Sequence, residues 1–185
     1  MRNVNTIIRL LQQYEVIAMP TDSIYGLSCL VNFKAVSRLI SIKKRSITKG
    51  FIIISGKMEQ LLTFVDKKKL TTSQIKKISI VYEKPTTWVV PTRIKTSWLT
   101  GNSSKIAIRL TTCPLILKLT TKLNQAIISS SVNISGQAPI TTEQEIKRSF
   151  RAQLKYVHPQ IQKIPSKHSK PSQIIDLMSE VILRK

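Results

Sequence analysis

Two spacings of apolar residues alternate along the chain. In the first segment Val4, Ile7 and Leu11 recur every three to four positions, which is typical of one face of an amphipathic helix. The next apolar run, Val16–Met19, is short and stops at Pro20, which indicates a buried strand. The chain is therefore predicted to begin with a helix followed by a strand.

The same alternation continues to the last residues. Phe33–Lys43 has helical spacing with Asn32 placed to cap it, and Phe51–Ile54 is typical of a second buried strand. The pattern predicts further helices over Met58–Phe64, Leu70–Ile80, Pro114–Leu123 and Thr142–Phe150, and strands over Thr87–Val90, Ile106–Leu110, Ala126–Ser130, Ile174–Leu177 and Val181–Leu183. Thr142 and Glu145 are spaced as a capping box.

This order of elements predicts the fold class. Helices interleave with strands, which favours an α/β or α+β fold whose twisted, mostly β-sheet core is flanked by helices around a basic concave cleft. A chain of 185 residues without internal repeats is expected to form a single domain, residues 1–185. The one linker-like stretch, Ile164–Ser172, is rich in lysine, serine and proline and is interpreted as a mobile loop.

The balance of charge adds a class of partner. Lysine and arginine number 30 against 9 aspartates and glutamates, for a net charge of +21, so a polyanionic partner or substrate is plausible. Drift toward A/T-rich codons explains an isoleucine- and lysine-rich composition equally well. The lysines at 67–69, 76 and 77 match a solvated helix face, and we assign them to no site.

Several classes of protein are disfavoured. Cys29 and Cys113 are far apart, and His158 and His168 lack ligand spacing, so no disulfide framework and no metal site built from protein side chains is predicted. The first residues lack the apolar core of a signal peptide, and no stretch reaches the ~20 apolar residues of a bilayer span. A cytoplasmic protein without a membrane partner is expected.

Candidate chemistry concentrates first in residues 43–50, called the basic loop below, which connects a predicted helix to a buried strand. Arg45 can fork onto two phosphate oxygens, and Lys43 and Lys49 can act as point charges. The alternative is a helix end stabilised by cations near its dipole, an effect of ~0.3–1 kcal/mol.

Two hydroxyl-rich turns follow apolar strand-like runs. The first hydroxyl turn, residues 20–27, presents Thr21, Asp22 and Ser23, which can hold a zwitterionic amino acid or simply cap a helix or form a turn. The second hydroxyl turn, residues 129–136, offers hydroxyls and N–H groups as an anion cradle or as a satisfied loop. If both turns reach one cleft, they can bind one substrate set.

Arg109 lies inside an apolar strand, where an arginine is costly unless it is paired or reaches a cleft. A ligand carboxylate or phosphate is one candidate partner, and a buried salt bridge to Asp176 or Glu180 is the other. The sequence contains no glycine motif for phosphate binding, no paired-carboxylate motif and no nucleophile motif. The residues present are therefore suited to positioning substrates and neutralising their charge.

Seven motifs occur in one order along nearly the whole chain. They are PTDSIYGL (20–27), KKR with KG (43–50), TWVVP (87–91), WLTG (98–101), IAIRLTTCP (106–114), SSSVNISG (129–136) and PSQIID (171–176). In this order and spacing they resemble the YrdC family, the threonylcarbamoyl-AMP synthases of tRNA modification, and most of all its short bacterial form.

The resemblance implies a nucleotidyltransferase reaction. L-threonine, bicarbonate or CO2, and ATP would give threonylcarbamoyl-AMP and pyrophosphate, usually with the assistance of Mg2+. The product would pass to a tRNA threonylcarbamoyl-transferase complex that modifies an adenosine beside the anticodon, and direct contact with tRNA is a further possibility. The implied fold is the YrdC-like fold.

The resemblance also implies roles for individual residues. Lys43 and Arg45 correspond to catalytic phosphate contacts, and Lys49 stands beside them in the same motif. The nucleotide side of the site would further include Ser129, Ser131 and Asn133. The threonine side would be formed by Thr21, Ser23, Arg109 and Ser172.

The chain departs from the family pattern at three places. Tyr82–Pro85 replaces the usual Trp-Pro-Gly-Pro, Cys113 replaces a histidine, and Val132 replaces an alanine. These changes leave room for a slow or inactive protein. The chief rival is a non-catalytic RNA-binding module that would bind phosphates with the same basic surface. The aromatic residues of the chain are few and not interleaved with the basic ones, which argues against a stacking platform for single strands.

Overall fold

A computed structural model of the chain describes residues 2–159 and 170–185. The helices of this part are α1 Arg2–Gln12, α2 Phe33–Lys43, α3 Met58–Leu62, α4 Thr72–Ile78, α5 Ser97–Thr100, α6 Pro114–Leu123 and α7 Glu143–Ser149. Its strands are β1 Ile17–Met19, β2 Gly26–Leu30, β3 Ile52–Ser55, β4 Thr86–Pro91, β5 Lys105–Leu110, β6 Ile127–Ser131, β7 Gln173–Asp176 and β8 Ile182–Arg184. None of the helices in this part has the length and apolar content needed to cross a bilayer.

Local signals explain where the strongest predictions succeed. Helix α2 has the predicted bounds, and the Asn32 side chain caps it by accepting from the Lys34 N–H at 2.9 Å. Helix α6 begins at Pro114, whose missing N–H costs nothing at the first helical position. The capping hydroxyl of Thr142 accepts from the Glu145 N–H at 3.3 Å. These helix boundaries are thus set by single side chains.

Two elements were not predicted. Strand β2 is buried along its whole length and contains a glycine and a serine, so it shows no alternation, and its first residues had been assigned to the first hydroxyl turn. Helix α5 is only four residues long and therefore shows no periodicity. The loop predicted over 164–172 lies mostly outside the described residues.

The eight strands of the described residues form one mixed sheet in the order β1-β2-β6-β3-β5-β4-β7-β8. The pairs β3–β5 and β4–β7 are parallel, and the other neighbours are antiparallel. This mixture confirms the predicted α/β class with a sheet flanked by helices.

The two faces of the sheet are covered unequally. One face packs against α2, α3, α4, α5 and α7 in a large core that includes Leu39, Ile53 and Ile108. The other face packs only against α1 and α6, in a smaller core that includes Ile54 and Ile127. The rest of this second face has no helix on it in the described structure, and a cleft lies there.

The period-two alternation of strands decides which side chains reach the cleft. Ile54 lies under the helices, and Ile52 on the same face of β3 lines the cleft. Ile127 likewise lies under the helices, whereas Ser129 and Ser131 on the same face of β6 line the cleft. The change from isoleucine to serine along β6 therefore marks where the helical cover ends.

Candidate active site

The cleft has a volume of about 290 Å³ and lies on the uncovered part of the sheet. Strands β2 to β8 form its floor, and the basic loop and the first hydroxyl turn form part of its wall. It brings together seven of the ten predicted site residues, which are Thr21, Ser23, Arg45, Arg109, Ser129, Ser131 and Ser172. Lys43, Lys49 and Asn133 do not line it.

The first hydroxyl turn is held by its own side chains. The Thr21 hydroxyl donates to the Ile24 carbonyl at 2.8 Å and accepts from the Ser23 N–H at 3.2 Å. The hydroxyls of Thr21 and Ser23 lie 3.2 Å apart and share a hydrogen bond. Both residues are buried, so the turn presents a fixed pair of hydroxyls to the cleft.

Arg109 connects this turn to the centre of the sheet. Its Nη1 donates to the Ser23 hydroxyl at 3.3 Å, and its Nη2 lies 3.2 Å from Asp22 Oδ1. The Thr111 hydroxyl donates to the other Asp22 oxygen at 2.8 Å. Arg109 Nε has no hydrogen-bond partner in the described structure, although the side chain is buried. The residue itself lines the cleft, so its guanidinium is placed close to a ligand bound there.

The buried ion pair of Arg109 is not one of those considered from the sequence. Asp176 pairs with Lys105 at 2.5 Å, and Glu180 pairs with Lys77 at 2.6 Å, so the prediction that either acid pairs with Arg109 is wrong. The acid that does so is Asp22, 87 positions away in the chain. A contact over this separation has no local signal in a single sequence.

Arg45 is held by the backbone of the basic loop. Its Nη2 donates to the Gly50 carbonyl at 2.7 Å and its Nε to the Lys49 carbonyl at 3.4 Å, and the guanidinium lies 5.1 Å from the Phe51 ring centroid. Burial lowers the pKa of Arg45 below its ordinary value, although an arginine remains charged at neutral pH. The loop thus holds a cation at the cleft before any ligand binds.

Close contacts between the backbone of the basic loop and that of residues 99–101 hold the loop in place. Lys49 forms an antiparallel bridge with Gly101, and the Phe51 N–H donates to the Leu99 carbonyl at 3.1 Å. A Cβ atom on Gly101, which has a φ of +64°, would lie 2.1 Å from the Thr48 carbonyl oxygen. A side chain at position 101 would therefore push the loop away from α5. The Lys49 side chain itself is exposed and does not line the cleft.

Lys43 points behind the cleft rather than into it. Its ammonium donates to the carbonyls of Ser131 and Asn133 at 2.5 and 3.0 Å and to Asn133 Oδ1 at 3.1 Å. Burial, with a smaller effect of the nearby Arg45 charge, lowers the pKa of Lys43 to about 8. In this conformation the lysine holds the second hydroxyl turn, and its direct contact with phosphate stays a prediction.

The second hydroxyl turn is organised by Asn133. The Ser131 hydroxyl donates to Asn133 Oδ1 at 2.6 Å, and Asn133 Nδ2 donates to the carbonyls of Ile134 and Gln137 at 3.0 and 2.8 Å. Ser129 packs against Gly26 so closely that a Cβ on this glycine would lie 2.3 Å from the Ser129 hydroxyl. Asn133 therefore supports the turn, while Ser129 and Ser131 face the cleft.

Arg184 is a cleft residue that the sequence interpretation missed. It lies on the edge strand β8, and its Nε and Nη2 donate to the Ser172 carbonyl at 3.0 and 2.8 Å. The Ser172 hydroxyl is 2.8 Å from the Thr87 hydroxyl, with which it shares a hydrogen bond. The only sequence signal was an arginine directly after the predicted strand Val181–Leu183.

Tyr25 was also missed. Its side chain is buried and lines the cleft, and its hydroxyl donates to the His158 carbonyl at 2.8 Å. His158 is a buried loop residue whose N–H donates to the Ala18 carbonyl at 2.8 Å. The tyrosine thus ties the cleft to the chain segment that covers the edge of β1.

The electrostatic character of the cleft follows from these residues. Three arginines line it, and no aspartate or glutamate does so in the described part of the chain. Elsewhere in that part, no group of three or more histidine, cysteine or acidic side chains is placed to hold a metal ion. An arrangement of fixed cations and hydroxyls is suited to a ligand with several oxyanions.

Comparison with known proteins agrees with this picture. The model of the Sua5/YciO/YrdC family, described as telomere recombination, matches residues 9–185. A Vibrio campbellii protein named threonylcarbamoyl-AMP synthase is 33% identical over 186 aligned positions, which cover 100% of this chain and 99% of that protein. A Yersinia enterocolitica protein of the same name is 39% identical over 153 positions, covering 82% of this chain and 80% of its own length.

Solved structures share the fold. P. abyssi Sua5 in complex with L-threonine has a TM-score of 0.82 and 22% identity over 95% of this chain, which spans about half of that protein (51%). E. coli YciO has a TM-score of 0.81 and 21% identity, covering 100% of this chain and 89% of its own.

Proposed function

The chain belongs to the Sua5/YciO/YrdC family, and from this premise we propose that its cleft is the active site of a threonylcarbamoyl-AMP synthase. The observation that carries the proposal is the convergence of Arg45, Arg109 and both hydroxyl turns on one cleft without an acidic lining residue. Full-length relatives of that name support it. The whole chain, residues 1–185, would act as one YrdC-like domain.

The proposed reaction is a nucleotidyl transfer. The threonine amine attacks the carbon of CO2 and loses a proton, which leaves a carbamate; from bicarbonate the same step releases water. A carbamate oxygen then attacks the α-phosphorus of ATP, and the bond to the bridging oxygen of the β-phosphate breaks. The products are pyrophosphate and threonylcarbamoyl-AMP, and the threonylcarbamoyl group of the latter would be transferred to tRNA.

The main obstacle to this reaction is the repulsion between two anions. The carbamate and the triphosphate must approach within bonding distance, and fixed cations at the cleft reduce that repulsion without reorganising. We assign Arg45 to the phosphates because the loop carbonyls of Lys49 and Gly50 already hold its guanidinium at the cleft. Lys49 would add long-range positive charge from the loop surface.

The threonine end is assigned to the first hydroxyl turn. Arg109 would bind the α-carboxylate, and the hydroxyls of Thr21, Ser23 and Ser172, which line the same cleft, would complete that end. Ser129 and Ser131 would contact the nucleotide, and Asn133 and Lys43 would hold them in place. In this scheme Lys43 acts as a positioning residue.

The described residues contain no group of three or more histidine, cysteine or acidic side chains that could hold Mg2+. Mg2+ bound to proteins is usually held by one or two carboxylates together with substrate phosphates, and Asp22, the acid of the first hydroxyl turn, already contacts Arg109 and Thr111. We propose that any Mg2+ enters with the phosphates of ATP, and we assign no step to it.

Threonylcarbamoyl-AMP would have to be passed to a second enzyme. A mixed anhydride of a carbamate and a phosphate is prone to hydrolysis, so we propose that a tRNA threonylcarbamoyl transferase receives it. Exposed lysines at 67–69 offer electrostatic attraction for tRNA phosphates near the protein. This contact would be weak and would fall steeply with salt.

The experiment that tests the function measures pyrophosphate release from labelled ATP with threonine and bicarbonate present, and with each omitted in turn. We expect release that depends on both co-substrates. Tight, salt-sensitive tRNA binding without threonine-dependent release would instead support the RNA-binding module.

A further inference from the structure

Exposed apolar side chains are concentrated at one edge of the sheet. Of the nine large apolar side chains that are exposed among the described residues, four lie on the β7–β8 hairpin, residues 173–185, and they are Met178, Val181, Ile182 and Leu183. Val181 and Leu183 are 54% and 58% exposed. Because successive strand residues point to opposite faces, three exposed neighbours mean that both faces of β8 are open to solvent. A cluster of this kind is typical of an interaction surface.

The two edges of the sheet differ in how their backbone is covered. At one edge, β1 lies beside residues 156–158. The Ala18 N–H donates to the Tyr156 carbonyl at 3.1 Å, and the His158 N–H donates to the Ala18 carbonyl at 2.8 Å. At the other edge, β8 is the last strand in the order, and no strand or bridge of the described residues lies on its outer side. An open edge of this kind offers backbone donors and acceptors to another strand.

The open edge is nevertheless held in place. The Asp176 N–H donates to the Val181 carbonyl at 2.9 Å, and the Asp176 carboxylate accepts from the Met178 N–H at 3.0 Å. Arg184 anchors the strand through two hydrogen bonds to the Ser172 carbonyl, at 3.0 and 2.8 Å. A surface that is ordered before it binds a partner loses little conformational entropy on binding.

Charge indicates which kind of partner suits this edge. The β7–β8 hairpin contains two acids and two bases, so it is neutral, and the net charge of +21 lies on the rest of the chain. An acidic partner would be attracted to the basic surfaces elsewhere rather than to this edge. A second copy of the chain is repelled by those surfaces but meets no net charge at the hairpin. The neutral apolar edge is therefore the part of the described surface where two copies can approach each other.

The order of charges along β8 favours an antiparallel arrangement of two copies. Glu180 precedes the strand and Lys185 follows it. Antiparallel pairing places the acidic end of each strand beside the basic end of the other, and it brings the apolar residues 181–183 of both copies together. Glu180 contacts Lys77 at 2.6 Å, but its side chain is 69% exposed, so the carboxylate can accept a second cation.

We propose that two copies of this chain associate through β8, which pairs antiparallel with β8 of the second copy about a two-fold axis. The two eight-stranded sheets would then form one continuous sheet. Because Leu183 and Arg184 line the cleft, each copy would lie beside the cleft of the other. The pairing is short, so we expect a dissociation constant in the micromolar range.

The test measures the molar mass of the full chain by sedimentation equilibrium between about 1 and 200 µM, in about 0.3 M salt to screen the general repulsion. We expect the mass to rise from 21.0 kDa towards twice that value. Ile182→Lys should raise the dissociation constant about tenfold or more, because it places two unpaired ammonium groups in the interface. Leu117→Lys makes a matching change at an exposed apolar residue of α6 and should behave as the wild type.

An exchange of charges tests the antiparallel arrangement and is informative even if Ile182→Lys folds poorly. Glu180→Lys and Lys185→Glu alone should each raise the dissociation constant about two- to fivefold, and the double variant should restore it to within about twofold.

A mass of 21.0 kDa at every concentration would overturn the proposal. So would a dimer that Ile182→Lys and Leu117→Lys affect equally, or a double charge variant that associates no more tightly than the single ones. Pyrophosphate release is not measured in this test, so its result is independent of the proposed function.

Discussion

The positively charged side chains of the cleft differ from those on the exposed surface in how they are held. In the cleft the cations are arginines held by carbonyls, hydroxyls or one acid, as for Arg45, Arg109 and Arg184. On the surface they include the lysines at 67–69, whose side chains are exposed. Planar guanidiniums fixed by neighbouring groups lose little conformational entropy on binding an oxyanion, whereas flexible exposed ammoniums lose more. Net charge alone therefore does not locate the site.

The largest difference in activity between the loss of a cleft cation and the loss of a surface cation is expected for Arg45. Arg45→Ala should lower kcat/KM for pyrophosphate release by about 10²–10³, the range known for the loss of a fixed group that stabilises transition-state charge. Arg151→Ala is the control because Arg151 is exposed, and its activity should equal that of the wild type. Equal activity in both variants would show that Arg45 does not contact the phosphates.

The two glycines with positive φ sharpen the role of the loop. Ala at Gly101 meets the Thr48 carbonyl at 2.1 Å, whereas Ala at Gly136, with a φ of +89°, meets nothing within 4 Å. Both changes cost backbone strain, about 1–3 kcal/mol, and the cost is larger at Gly101, whose φ of +64° and ψ of −142° are close to a region that only glycine adopts readily. We expect Gly101→Ala to lower the free energy of unfolding by at least about 1 kcal/mol more than Gly136→Ala, measured in urea. Similar losses would contradict the close docking of the loop on α5.

The pH dependence of stability tests the burial of Lys43. The folded protein releases this proton near pH 8, and an ordinary lysine does so near 10.5. Between these values the unfolded chain binds more protons, so the free energy of unfolding rises with pH. Lys43→Met lacks this group, and the stability of the wild type relative to the variant should increase from pH 8 to pH 10. Parallel curves in denaturant titrations would show that Lys43 is not buried as described.

The smallest effect is expected at the lysine surface. When Lys67, Lys68 and Lys69 are all replaced by glutamine, the free energy of unfolding should change by no more than about 0.5 kcal/mol per site, as is usual for exposed positions. The values of KM for threonine and ATP should not change, although any tRNA affinity should fall. A large loss of pyrophosphate release would mean that the surface charge takes part in the reaction.

Local signals in the sequence were sufficient for much of the fold. The Asn32 cap and the helical spacing after it predicted α2 with its bounds, and Pro114 with the spacing after it predicted α6. Strand β2 was missed because complete burial removes the alternation by which a strand is recognised. Pattern reasoning thus succeeds where a boundary depends on adjacent residues.

The site was less predictable because its contacts are long-range. The motifs identified both hydroxyl turns and Arg45, but the partner of Arg109 required the folded chain, since Asp22 is on another element. Lys43 looked like a phosphate ligand, and only the structure shows that its ammonium holds Ser131 and Asn133. Arg184 lacked any motif of its own.

The most direct test of the central claim is a crystal structure with L-threonine and a non-hydrolysable ATP analogue. We expect the triphosphate oxygens within hydrogen-bond distance of the Arg45 guanidinium and the threonine carboxylate on Arg109, both inside the cleft. Density for either ligand outside the cleft, with Arg45 and Arg109 contacting neither, would contradict the account.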